Sequence, residues 1–189
     1  MTVPVDLSGV ERAARAAKAG GVIAYPTEAV WGLGVDPDNE SAIRRLLELK
    51  SRPRAKGLIL IAASAAQLEP WLAPLAQSDR DQLLNTWPGP VTWLVPNNGH
   101  ASHWVTGDFD TVALRVTDHP LAQALCLAFG GPLISTSANP QGLEPARTSV
   151  QVQHYFGDQI QALAPGQVGA RTQPSEIRDL QTGRIHRPG

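Results

Sequence analysis

The sequence predicts an α/β fold. Three observations carry that prediction. Short apolar runs alternate along the chain with segments of helical periodicity. One run, Leu58 to Ala62, is apolar without interruption, as in a strand buried on both faces. Another, Thr111 to Val116, alternates, so Val112, Leu114 and Val116 share one face while Arg115 points to the other. Strands separated by helices pack as a sheet with helices against it, and ligands bind such sheets at the loops leaving strand ends. The chain has 189 residues, 42% hydrophobic and 17% charged, which is the composition of one globular domain spanning 1–189.

Taken in order, Ser8-Gly9-Val10-Glu11 reads as a capping box opening an Ala-rich helix that stops at Gly20-Gly21. Gly21 to Tyr25 is a short buried strand closed by Pro26. Asn39 caps a helix from Glu40 to Lys50, with Ala42, Ile43, Leu46, Leu47 and Leu49 at helical spacing. Pro53 disfavours helix at Arg52, so the chain turns extended there. After the strand at Leu58, Ser64-Ala65-Ala66-Gln67 reads as a second capping box, and a further helix follows Ser78 and ends at the Trp87-Pro88-Gly89-Pro90 turn. Val91 to Val95 is a strand, and Asn97 to Asp110 a long polar connection. Asp118-His119-Pro120 starts a helix ending at Gly130-Gly131, and Pro132 to Thr136 is a strand. Thr148-Ser149-Val150-Gln151 caps a helix that is over by Pro165-Gly166, and a short strand is expected near Arg184 to Arg187.

Charge is distributed unevenly. Lys50, Arg52, Arg54 and Lys56 fall within seven residues of a chain whose formal net charge is −1, so the cluster is local. Arg44 and Arg45 read as a solvated helix face. Lys50, Arg52 and Lys56 are carried to a helix end, a turn and the mouth of a strand, where an anion is expected. An arginine projecting from a central strand, as Arg115 does, needs an anionic partner too.

Several chemistries are excluded. Gly32-Leu33-Gly34 lacks the third glycine of a dinucleotide fingerprint, because position 37 is Pro37. There is no Walker loop, no HExxH, no GxSxG and no histidine pair at metal-ligand spacing. The histidines read as surface or capping residues, and Asp36 with Asp38 as an acidic pair before a helix rather than a magnesium site. Cys126, the single cysteine, reads as a small buried hydrophobe. No stretch approaches the ~18 apolar residues of a membrane span, and the N-terminus lacks a signal-peptide pattern, so a cytoplasmic protein is expected. What remains is a set of hydroxyls, an amide and cations: Thr27, Lys50, Arg52, Lys56, Arg115, Ser135, Ser137, Asn139, Ser175 and Arg187. Such a set suits phosphate chemistry done by positioning and charge neutralisation.

Tyr25-Pro26-Thr27-Glu28-Ala29-Val30-Trp31-Gly32-Leu33-Gly34, Lys50-x-Arg52-Pro53, Trp87-Pro88-Gly89-Pro90-Val91-Thr92, Leu114-Arg115-Val116 and Ser135-Thr136-Ser137-Ala138-Asn139 occur in an order that resembles the YrdC/TsaC family, over nearly the whole chain. Lys-x-Arg followed at distance by Ser-x-Asn is the specific part. The resemblance implies a single-domain open twisted sheet of mixed strands flanked by helices, with a concave basic cleft. It implies synthesis of threonylcarbamoyl-AMP and pyrophosphate from ATP, L-threonine and bicarbonate, for tRNA modification, with Mg2+ accompanying ATP. Lys50 and Arg52 would be catalytic; Lys50, Arg52, Lys56, Ser137, Asn139 and Arg187 would hold ATP; Thr27, Arg115, Ser135 and Ser175 would hold threonine. The short form resembles the bacterial type, which hands its product to separate transfer proteins, with direct tRNA contact left open. The alternative from another class is a non-catalytic tRNA-binding or double-stranded-RNA-binding module using the basic cleft.

Overall fold

In the computed structural model, which describes residues 5–189, Asp6 rather than Ser8 opens the first helix, α1 (Leu7–Lys18). The Asp6 carboxylate accepts from Ser8 N and Gly9 N, both at 3.1 Å, while Ser8 sits inside the first turn. A carboxylate two residues upstream can satisfy two orphan amides, so it displaces the serine from the cap. The strand that follows, β1 (Ile23–Pro26), forms a hairpin with an unanticipated partner, β2 (Trp31–Val35), which contains the Gly32-Leu33-Gly34 segment. Glycine is poor strand material, but here it is required: a Cβ on Gly34 would lie 2.8 Å from the Tyr25 ring and 2.9 Å from Ile134 O.

Asn39 caps α2 (Glu40–Leu49) as expected, accepting from Ala42 N at 3.0 Å. A 3-10 turn at Arg54–Lys56 leads to β3 (Ile59–Ala62). The second capping box does not form: Gln67 accepts from Ala63 N at 2.8 Å rather than from Ser64 N, Ser64 makes no cap bond, and the segment is a 3-10 turn before the short α3 (Glu69–Leu72). There follow α4 (Gln77–Leu84), β4 (Val91–Pro96), α5 (His103–Thr106) within the long polar connection, β5 (Thr111–Val116) and α6 (Pro120–Phe129). Gly130 ends α6 at φ 91, the left-handed conformation expected of a C-terminal glycine. The chain finishes with β6 (Leu133–Ser137), α7 (Ser149–Phe156) behind its complete Thr148/Gln151 capping box, and the short strands β7 (Ala162–Leu163), β8 (Glu176–Asp179) and β9 (Ile185–Arg187).

The nine strands form one mixed sheet in the order β7-β1-β2-β6-β3-β5-β4-β8-β9. The pairs β7/β1, β3/β5 and β4/β8 are parallel and the rest antiparallel. Helices α1 and α6 cover part of one face, burying Ile23, Tyr25, Ile61 and Leu133. The larger core, with Leu33, Leu46, Leu60, Leu114, Trp93 and Ile134, fills the other face. Beyond α1 and α6 the first face is left open, and one cross-strand row, Ser135–Ile59–Ala113–Leu94–Asp179, runs across it. That open face is the floor of the site.

Candidate functional site: a cationic cavity on the open sheet face

A cavity of about 440 Å³ lies on this floor. The set of residues inferred from sequence converges there: Thr27, Arg52, Lys56, Arg115, Ser135, Ser137, Ser175 and Arg187 all line it. Their placement differs from expectation in one respect. Arg115 and Ser135 project from within β5 and β6, so the ligand surface is the face of the sheet rather than the loops beyond the strand ends. The lining carries five cations, Arg52, Lys56, Arg115, Arg171 and Arg187, against the carboxylates of Glu28 and Asp179. Arg115 is paired with Glu28 and Arg171 with Asp118 at 3.6 Å, which leaves Arg52, Lys56 and Arg187 without a salt-bridged carboxylate, and three such cations in one cavity call for anions.

Lys50 and Asn139 stand one layer behind. Lys50, the C-cap residue of α2, directs its ammonium to Ser137 O, to Asn139 O at 2.7 Å and to Asn139 Oδ1 at 3.3 Å. Asn139 Oδ1 also accepts from the Ser137 hydroxyl at 2.6 Å, and Asn139 Nδ2 donates to Leu143 O at 2.7 Å. The Lys-x-Arg and Ser-x-Asn motifs therefore meet, but through Lys50 as a clamp on the turn after β6, with its three N–H groups engaged. Burial, and secondarily the Arg52 charge, push Lys50 down from 10.5 to about 8.

Arg52 faces the cavity. One of its terminal nitrogens donates to Gly57 O at 2.9 Å, and its Nε is buried without a hydrogen bond. Arg187 arrives from the last strand and is fixed by Ser175, donating from Nε to Ser175 O at 2.9 Å and from Nη2 to Ser175 Oγ at 3.0 Å. Ser175 Oγ in turn lies 2.9 Å from Thr92 Oγ1 in a buried contact. Burial depresses Arg187 below the ordinary guanidinium value, and the nearby Arg115 and Arg52 depress it further, so the three guanidiniums share one field. The Thr27 hydroxyl donates to Val30 O at 2.7 Å, which leaves its lone pairs for a ligand. Lys56 is exposed at the rim.

The anionic partner that Arg115 requires is Glu28, at 3.2 Å, with both side chains more than nine-tenths buried. Glu28 also accepts from the Thr117 hydroxyl and from Asp118 N at 3.2 Å. Burial opposes its charge, but the Arg115 guanidinium and the Thr117 hydroxyl overcome this and hold its carboxyl well below the ordinary range. Glu28 is adjacent to Thr27 in the first motif, yet nothing local in the sequence distinguishes it from a turn acid. Thr92, Arg171 and Gln173 are likewise functional-site residues that sequence reasoning missed.

Other side chains are placed away from the chemistry. Arg54 pairs with Asp108 at 3.4 Å, and Glu176 with Arg178. Arg44 stacks on Trp104 at 4.5 Å and Arg45 is exposed, both on the solvated face of α2. Asp36 accepts from Asp38 N at 2.9 Å in the turn before α2. His119, expected at the surface or in a cap, stands at the N-cap position of α6, but buried, with Nε2 against Gln167 O at 3.1 Å rather than capping the helix with its ring. Among the described residues no cluster of three or more His, Cys, Asp or Glu is placed to hold a metal, and no helix is long and apolar enough to cross a membrane.

Residues 15–189 match the Sua5/YciO/YrdC family model, described as "Telomere recombination". The chain belongs to that family. Among its relatives, a threonylcarbamoyl-AMP synthase from Cellvibrio japonicus is 60% identical over 95% of each chain. One from Vibrio campbellii is 52% identical over 97% of this chain and 100% of its own. Of the solved family structures, P. abyssi Sua5 complexed with L-threonine superposes with a TM-score of 0.89 at 29% identity. The match covers 97% of this chain and 54% of Sua5, so the chain spans about half of that protein's length. E. coli YciO shares the fold, at a TM-score of 0.85 and 23% identity, over 97% of this chain and 90% of its own.

Proposed function

We propose that this chain is a threonylcarbamoyl-AMP synthase, a nucleotidyltransferase that converts ATP, L-threonine and bicarbonate into threonylcarbamoyl-AMP and pyrophosphate. The observation that carries it is the convergence of eight separated polar residues on one cavity with a net excess of three positive charges. The threonine amine takes up bicarbonate with loss of water, giving a carbamate. A carbamate oxygen then attacks the α-phosphorus of ATP, forming the O–P bond as pyrophosphate leaves. Both reactants are anions, and their repulsion at about 4 Å is on the order of several kcal/mol at intermediate dielectric. Arg52 and Arg187 lower that repulsion on the phosphate side, with Lys56 at the rim, and Arg115 with Thr27 and Ser135 holds the amino acid. Arg115 suits a carboxylate because its planar fork can bind both oxygens. Lys50 and Asn139 act on ATP by setting the Ser137 turn. Glu28 and Asp179, the carboxylates of the cavity, form no ligand cluster, so magnesium would come with ATP and would supply charge neutralisation on its phosphates.

The buried position of the charge favours this reading over a non-catalytic RNA-binding module, whose phosphate contacts would lie on an open surface. Cytoplasmic location, contact with tRNA and transfer of the product to separate proteins for tRNA threonylcarbamoylation belong to the same proposal. The test is pyrophosphate release together with mass-spectrometric detection of threonylcarbamoyl-AMP. Release should require threonine and bicarbonate together; release indifferent to threonine overturns the proposal.

A further inference from the structure

The cavity's cations are not equivalent. Arg52 and Arg187 are held by neutral oxygens, those of Gly57 and Ser175, whereas Arg115 has a carboxylate against it. One end of the cavity is therefore neutralised and the other is not. At the neutralised end Arg115 Nε, a donor, is buried without a hydrogen bond, and Glu28 Oε2, an acceptor, has the ion pair with Arg115 Nη2 at 3.2 Å but no hydrogen bond. Each keeps bonding capacity that the protein leaves unused, so a ligand that supplies partners for both is favoured. The groups required of it are an acceptor for arginine and a donor for glutamate within a few ångströms of each other. An α-amino acid zwitterion has this arrangement, and a phosphate or simple carboxylate has only half of it.

We infer that Glu28 is a substrate-binding residue: its carboxylate receives the α-amino group of the amino acid whose carboxylate Arg115 holds, and so reserves this end of the cavity for a zwitterion. The inference rests on the proposed activity, because it takes the amino-acid substrate as given. It also accounts for the local geometry. Glu28 is fixed before any ligand arrives, by Thr117 Oγ1, by Asp118 N, and through its main-chain oxygen by Arg171 N at 3.1 Å. Thr27 and Ser135 close the same end: a Cβ on Gly32 would stand 3.4 Å from Thr27 Cγ2 and 3.5 Å from Ser135 Oγ. Being ionised throughout the working pH range, Glu28 attracts the ammonium form and later accepts from the carbamate N–H. It is an anchor for nitrogen rather than the base that deprotonates it. Its charge also repels a second anion, which steers the triphosphate to the Arg52 and Arg187 end.

The test compares binding of L-threonine with that of (2S,3R)-2,3-dihydroxybutanoate, in which a hydroxyl replaces the amine, to wild type and Glu28→Gln, with ATP binding measured in parallel. Wild type should prefer threonine by about tenfold or more, the range of a hydrogen bond to a charged group. Glu28→Gln should lose that preference while binding ATP as well as, or better than, wild type. A variant that keeps the preference, or that loses threonine, the analogue and ATP alike, overturns the inference. The wild-type comparison needs no variant and decides the matter if Glu28→Gln fails to fold. Equal binding of threonine and its analogue by wild type overturns the role of Glu28 and leaves the proposed activity standing; binding of neither overturns both.

Discussion

Replacing Lys50 by methionine, which keeps the chain length and removes the ammonium, separates a clamp from a free phosphate ligand. In wild type the ammonium engages Ser137 O, Asn139 O and Asn139 Oδ1. Methionine leaves the half-buried Asn139 O without its partner and Ser137 O with only its bond from Asn139 N at 3.0 Å, a cost of about 1–3 kcal/mol in all. Part of that loss is offset, because burial already opposes the charge. The net expectation is a loss of about 1–2 kcal/mol at pH 7, together with loss of turnover. The pH dependence supplies a second, independent reading. The folded lysine releases its proton near pH 8 and the unfolded one near 10.5, so between these values the unfolded chain binds more protons. Raising the pH through that window therefore favours folded wild type, while the methionine variant has no proton to release there. Urea unfolding followed by tryptophan fluorescence should show the stability gap widening from pH 8 to 10.5. A gap below ~0.5 kcal/mol at pH 7, the size of an ordinary surface change, or one that narrows as pH rises, would refute the clamp.

Two further predictions test the packing and the first helix. Burial raises the Cys126 thiol from 9.0 to about 12, so the unfolded chain ionises first and wild-type stability should fall as pH rises above 9; Cys126→Ala should show a shallower fall in urea midpoint while retaining activity. Because Asp6 and not Ser8 receives the first amides of α1, Asp6→Ala should lower the thermal unfolding midpoint measurably and Ser8→Ala much less.

The elements that sequence reasoning recovered are those whose signals are local. Asn39 before an amphipathic run, Gly130 after one, and the Thr148/Gln151 box each state their own structure within four residues. β2 was hidden because its glycines lower strand propensity, and their purpose is the Tyr25 ring pressed against Gly34 from the neighbouring strand. β8, Glu-Ile-Arg-Asp, carries no apolar alternation. It exists because β4 offers it a parallel edge and Arg178 lies over the Trp93 ring at 5.3 Å. Neither partner could be inferred from spacing.

The site shows the same division more sharply. Residue type was legible: a set rich in cations and hydroxyls, without a nucleophile paired to a base, is what phosphate chemistry by positioning requires. Direction was not. Lys50 and Arg52 are two residues apart, but Ser51 between them takes φ 49, a left-handed conformation unusual for serine, and the chain turns so that Arg52 reaches the cavity while Lys50 lies behind it. Charge balance was equally hidden. A total of −1 conceals a cavity at +3 and a remainder at −4, and the remainder lies elsewhere on the chain. Within that cavity the decisive asymmetry is one carboxylate, Glu28, brought beside Arg115 by a hairpin turn and a strand 87 positions apart. Two reactants of different charge type must lie side by side for the proposed reaction. A uniformly cationic pocket would draw the triphosphate to both ends, whereas a pocket neutralised at one end can sort a zwitterion from a polyanion before either has reacted.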